Sequence, residues 1–263
     1  MHALKVSVLG IGALGPGFGD WPALRAALGG APYQPQPTAL PLPAALPPAE
    51  QRRVGPAVKL ALAVGGEAIA ASDIGVTTLA SVFAASGGDG ENCDALCRTL
   101  ALPQPQLSPT RFHNSVQNAA AGYWSIAHRV TAASISIAGF DASFALGLLE
   151  AAAQVSTQQR AVLLICSDTA YPEPLRSVRP IPDALGIALL LAPPGPASAL
   201  ATLHIAMDAG TPDRLELPAL EQLRAAIPAA RALPLLRQIA GGGVARIEYL
   251  SSSILRVEVD NAA

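Results

Sequence analysis

Apolar positions along this chain change their period in a definite order, most clearly over residues 134–168. Ser134-Ile135-Ser136-Ile137 is a β-branched alternation of period two, which predicts a strand. Ala138-Gly139 allows a sharp bend. From about Asp141 the period becomes helical, with Phe144, Leu148, Leu149 and Ala152 on one face. Residues 161–165 are an unbroken apolar run, the pattern of a strand covered on both faces. Strand, tight elbow, buried helix and strand is the geometry that presents a nucleophile at a helix N-terminus. The residue at the mouth of this elbow is Asp141.

The same reading organises the rest of the chain. Residues 4–9 alternate as a strand, and Gly10 to Gly15 follow as a G-x-G-x-x-G sequence. That spacing admits a nicotinamide dinucleotide site, but Pro16-Gly17 interrupts the helix such a site requires, and no acidic residue stands about 20 positions on. The other reading is a glycine-rich turn by which the strand leaves the sheet. Residues 21–28 predict a short helix, 32–48 a proline-dense surface loop, and Pro56 the first turn of a helix burying Val58, Leu62 and Ile69. Strand patterns follow over 74–84, 184–191, 203–207 and 254–259, and a helix over 89–100. Residues 217–239 are helical in composition but interrupted by Pro228 and Pro234. Alternating strands and helices of this kind predict an α/β fold.

Composition narrows the function. The chain has 263 residues, is 51% hydrophobic and 14% charged, and carries a net charge of −2. This is ample apolar material for a core and for a partner interface, and no electrostatic basis for binding nucleic acid or an anionic membrane. With neither a secretory signal pattern nor an uncharged apolar run of membrane length, the expectation is a cytoplasmic protein. Its three cysteines, Cys93, Cys97 and Cys166, suit a reducing compartment. Cys93 and Cys97 lie one helical turn apart and could share a metal, but two ligands make a weak site, and buried packing cysteines are the favoured reading. No metal or cofactor is expected. In residues 108–126, the cluster Phe112-His113-Asn114 precedes a helix with a run of small residues, Ala119 to Gly122, which serves either internal packing or a subunit contact. His113 is either a catalytic base or a histidine satisfied by a backbone partner.

These pieces, in order, resemble the N-terminal half of a β-ketoacyl synthase. The opening strand with Gly10-Ile11-Gly12, the strand at Ile74-Gly75-Val76, Asn118 and Gly122, and Ser134 to Ala138 before the elbow carry the resemblance over about residues 1–193. It implies a thiolase-like α/β fold, truncated to the ketosynthase half with a shortened C-terminal part, in one unit spanning 1–263. Its mixed sheet would be covered by helices. Aligned without a gap, the family's catalytic cysteine falls at Asp141, a poor nucleophile toward a thioester. The family's second half carries two histidines for decarboxylation; the remaining 70 or so residues here hold only His204.

Short relatives without the cysteine, called chain-length factors, accompany an active ketosynthase in aryl polyene and xanthomonadin-type pigment pathways. Residues 113–126 look much like theirs. By that resemblance Arg111, Phe112, His113, Gln117 and Asn118 line or plug the partner's acyl tunnel. Ser134, Ile135, Ser136 and Ile137 pair across the twofold axis, and Phe140, beside the degenerate nucleophile, belongs to the same partner and tunnel interface. The partners implied are an active ketosynthase and, through it, an acyl carrier protein, with a homodimer possible in isolation. The alternative is a decarboxylase or hydrolase using Asp141 and His113 on an acyl or malonyl thioester.

Overall fold

The computed structural model describes residues 3–261; the two residues at each end of the expected 1–263 unit lie outside the described residues. In chain order the elements are β1 (Leu4–Leu14), α1 (Trp21–Leu28), α2 (Pro48–Gln51), α3 (Pro56–Ala70), β2 (Ala80–Ala84), α4 (Gly90–Leu100), α5 (Pro109–His113), α6 (Ala119–His128) and β3 (Ser134–Ile137). Then come α7 (Ser143–Gln158), β4 (Val162–Asp168), α8 (Leu175–Val178), β5 (Leu185–Ala192), β6 (Ala201–Ala209), α9 (Pro218–Ala226), α10 (Leu233–Gly241), β7 (Gly243–Glu248) and β8 (Ser253–Asn261). Helix starts follow capping chemistry. Asp20 accepts from the Ala23 amide and Asp89 from the Asn92 amide, while Pro56 and Pro109 open α3 and α5.

The strands form one mixed sheet in the order β3-β2-β4-β5-β1-β6-β8-β7. β2 runs parallel to β3 and β4; the other neighbours are antiparallel. Side-chain alternation splits the core in two. From β5, Leu185, Ile187, Leu189 and Leu191 face a cluster shared with α1, α7, α9 and α10. Ala188, Leu190 and Ala192 face the opposite cluster with α3 and α6. The sheet is thus sandwiched between helical layers, and burial on both faces explains why β4 and β5 read as unbroken apolar runs.

β1 differs from the sequence expectation. It continues through Gly10 and Gly12 instead of turning, with a bulge between Val8 and Gly10 that reverses which residues face which layer. The glycines serve helix packing: a β-carbon on Gly10 would lie 2.0 Å from the Ala68 carbonyl oxygen, and one on Gly12 would lie 1.9 Å from that of Val64. The turn comes later, where Gly15 pairs with Phe18 and Gly17 adopts φ +82°. Glu67 of α3 fixes this junction, accepting from the Ala13 amide at 2.8 Å and the Trp21 amide at 2.7 Å. The expected strand over 74–84 is also shorter; Val76–Thr78 forms a 3₁₀ turn, and only residues 80–84 pair. β7 went unrecognised in the sequence because Gly242-Gly243 and alternating charged positions mask a six-residue edge strand.

Candidate functional site

The elbow forms as its sequence suggests. β3 ends at Ile137, Phe140–Ala142 make a 3₁₀ turn, and α7 starts at Ser143. Ser143, fully buried, accepts from the Gly139 amide at 3.0 Å and donates to the Phe140 carbonyl at 2.8 Å. At Gly139 a β-carbon would meet Leu146 Cδ1 at 2.0 Å, so any larger residue would have to displace that side chain. Phe140 takes φ +55°, a left-handed conformation rare for a bulky residue, and its ring is 62% exposed.

Asp141 does not stand free at that site. Its Oδ1 accepts from Arg179 Nη2 at 2.8 Å, and its Oδ2 lies 3.7 Å from Arg231 Nη2. Arg231 reaches on to Glu248 at 3.2 Å, and the Arg179 guanidinium lies 3.5 Å from the centre of the Phe140 ring. Both oxygens of this carboxylate are directed at guanidinium groups. Arg179 directly follows α8 in the proline-rich connection between β4 and β5; Arg231, in the 3₁₀ turn Pro228–Ala232, carried no sequence signal because its contact is long in sequence.

Behind the elbow, at the C-terminal ends of β2 and β4, Asp168 accepts from the Ser86 amide and hydroxyl at 2.8 and 2.6 Å and from the Ala229 amide at 2.8 Å. Burial pushes its pKa up against these donors. A cavity of about 40 Å³ beside it is lined in part by Val58, Phe83, Val116 and Gln117, with room for little more than water.

Among the described residues no three His, Cys, Asp or Glu side chains come together to hold a metal. Cys93 and Cys97 are exposed, not the buried packing residues expected, because α4 buries only Gly90 and Asn92; Cys166 is buried. His113 and Asp141 share no contact. His113 is exposed and stands edge-on to Tyr123 with ring centres 5.9 Å apart. His204 lies 3.0 Å from Asp260. His128 stacks on Trp124 at 4.1 Å, and burial lowers its pKa. Since its folded pKa falls below the unfolded value of about 6.5, its contribution is complete above that pH and is lost as pH drops below it. Melting between pH 7.5 and 5.5 should therefore fall more steeply in the wild type than in His128→Phe; equal slopes would refute this.

The residues assigned to an interface are gathered on the surface. Arg111, Phe112, His113, Gln117 and Asn118 are all exposed on α5 and the segment leading into α6. β3 is an edge of the sheet, with Ser134 and Ile135 exposed and Ser136 and Ile137 half-buried. Among the described residues, eight of the twelve exposed large apolar side chains lie between Leu100 and Phe140, including Val116 and Ile126, which the sequence reading missed. A β-carbon on Gly122 would meet nothing within 4 Å, so this glycine is not required by internal packing.

The profile described as "Beta-ketoacyl synthase, N-terminal domain" matches residues 21–236. No curated protein sequence matches the chain. Among solved structures, a ketosynthase (ApeO) in complex with its chain length factor (ApeC) from Xenorhabdus doucetiae contains a chain with TM-score 0.73 and 21% identity. That alignment covers 97% of this chain and 99% of that one. The ishigamide ketosynthase/chain length factor gives 0.73 at 14% identity, over 98% of this chain and 100% of that one. A type II polyketide acyl-carrier protein in complex with its ketosynthase bound to the hexaketide gives 0.75 at 12%, over 99% and 100%. These likenesses establish a thiolase-like fold.

Proposed function

The chain belongs to the β-ketoacyl synthase N-terminal-domain family, and on that premise we propose that it is a non-catalytic, chain-length-factor subunit. It pairs with an active ketosynthase and forms part of the wall of that enzyme's acyl tunnel, in biosynthesis of the aryl polyene type. The observation that carries this reading is the state of the elbow. The position aligned with the family's cysteine holds a carboxylate already engaged by Arg179 and Arg231. An unpaired sheet edge and the concentration of exposed apolar residues between Leu100 and Phe140 support the partner. The solved chains of similar shape and length come from ketosynthase complexes, which adds support by analogy.

The acyl carrier protein delivers its thioester to the partner, and the growing chain stops where side chains from this subunit exclude it. Phe112 and Gln117, both exposed, are the side chains we assign to that stop. The reading of Asp141 and His113 as an acid–base pair loses support, since one is ion-paired and the other packs edge-on against Tyr123.

Purified alone, the chain is expected to turn over neither acyl nor malonyl thioesters. Co-expressed with an active ketosynthase it should elute as one complex at micromolar concentration. Gln117→Trp in that complex should shorten the product. A covalent acyl adduct on the isolated chain, or separate elution of the two subunits, would defeat the proposal.

A further inference from the structure

The elbow holds more cationic donors than its one carboxylate uses. Arg179 is well satisfied, bonding Asp141 Oδ1 at 2.8 Å and covering the Phe140 ring. Arg231 is not. Its approach to Asp141 Oδ2, 3.7 Å, is longer than a hydrogen bond, and its buried Nε finds no partner among the described residues. Its remaining contacts are Glu248 at 3.2 Å and the Ala225 carbonyl at 3.4 Å. Both arginine side chains are largely buried, at 19% and 13% exposure, so water screens their charges weakly. The N-terminus of α7 adjoins them without a side-chain cap. Two guanidinium groups converging on one position, with donors to spare, form a small-oxyanion site.

We propose that the elbow is a carboxylate-binding site built from Arg179 and Arg231, and that its occupant in this chain is the protein's own Asp141. The internal carboxylate ties the 3₁₀ turn Phe140–Ala142 to the loop carrying Arg179 and to the turn Pro228–Ala232, and through Arg231 to β7. Removing the carboxylate takes from Arg179 its Oδ1 partner, leaves Arg231 with Glu248, and vacates a volume that a free carboxylate of matching size can fill.

Chemical rescue tests this in the full chain. Asp141→Ala should melt at least about 3 °C below the wild type. Formate or acetate should restore the melting temperature saturably, as a ligand of the folded state does, whereas chloride at equal ionic strength should not. Wild type, and the double variant Asp141→Ala with Arg179→Ala, should show no such selective response. If Asp141→Ala does not fold, Asp141→Asn supplies the measurement: it keeps the shape, loses the charge, and should melt below the wild type by a deficit that formate leaves unchanged, because the amide fills the opening. Equal responses of Asp141→Ala to formate and chloride, or an unchanged melting temperature in either variant, would overturn the assignment. Pairing with a ketosynthase is read by co-elution and this site by melting, so either can fail while the other stands.

Discussion

Ser136→Pro is expected to leave the chain folded while weakening its complex with a ketosynthase by about 10–100-fold. Along β3, the carbonyls of Ala133 and Ile137 accept from Ser81 and Ala85 of the neighbouring β2 segment. Parallel pairing alternates the backbone groups, so those of Ser134 and Ser136 point away from the sheet. Proline is tolerated on an edge strand where its missing N–H would face solvent. The substitution therefore costs little if water covers this edge, and removes a ladder bond and adds a clash if a partner strand does. Titration of the purified pair by light scattering or calorimetry reads the difference, with Ser134→Ala as the control that keeps every backbone donor. Affinity equal to wild type in Ser136→Pro would mean that β3 does not pair with the partner.

Gly12→Val should have the largest effect on the chain itself, at least about 3 kcal/mol of lost stability. The first carbon beyond the backbone already collides with the Val64 carbonyl oxygen, and α3 is pinned against β1, β5 and β4, so the helix cannot retreat alone. For a domain of this size that corresponds to a fall in melting temperature of roughly 6–12 °C. Gly66→Ala supplies a contrast of opposite sign. It lies inside α3 with nothing within 4 Å of a β-carbon, and alanine there should add about 0.5–1 kcal/mol. Comparable melting of Gly12→Val and wild type would show that the close approach of strand and helix is not tight.

What could be read from the sequence followed locality. The elbow, α1, α3 and the buried strands β4 and β5 are written in short-range periodicity, and the edge strand β3 in four residues of alternation. The glycines after β1 were legible as glycines but not as packing contacts, because their reason sits on a helix more than fifty residues away. The same distance hid Arg231. Asp141 could be placed at the elbow by counting, yet nothing near it in the chain shows that its charge is already taken. The cysteines of α4 were misjudged because a helix at the periphery has the same spacing as one in the core.

The continuity of the sheet from β5 through β1 to β6 has a practical consequence. β1 is bonded on one side by β5 and on the other, over Leu4 to Val8, by β6. A fragment trimmed near residue 193, just before β6, would strip one flank from the central strand. The raw ribbon so uncovered is apolar on both faces, and recruiting a second molecule would be its easiest repair. Anyone shortening this protein for expression should expect inclusion bodies, not a smaller working subunit.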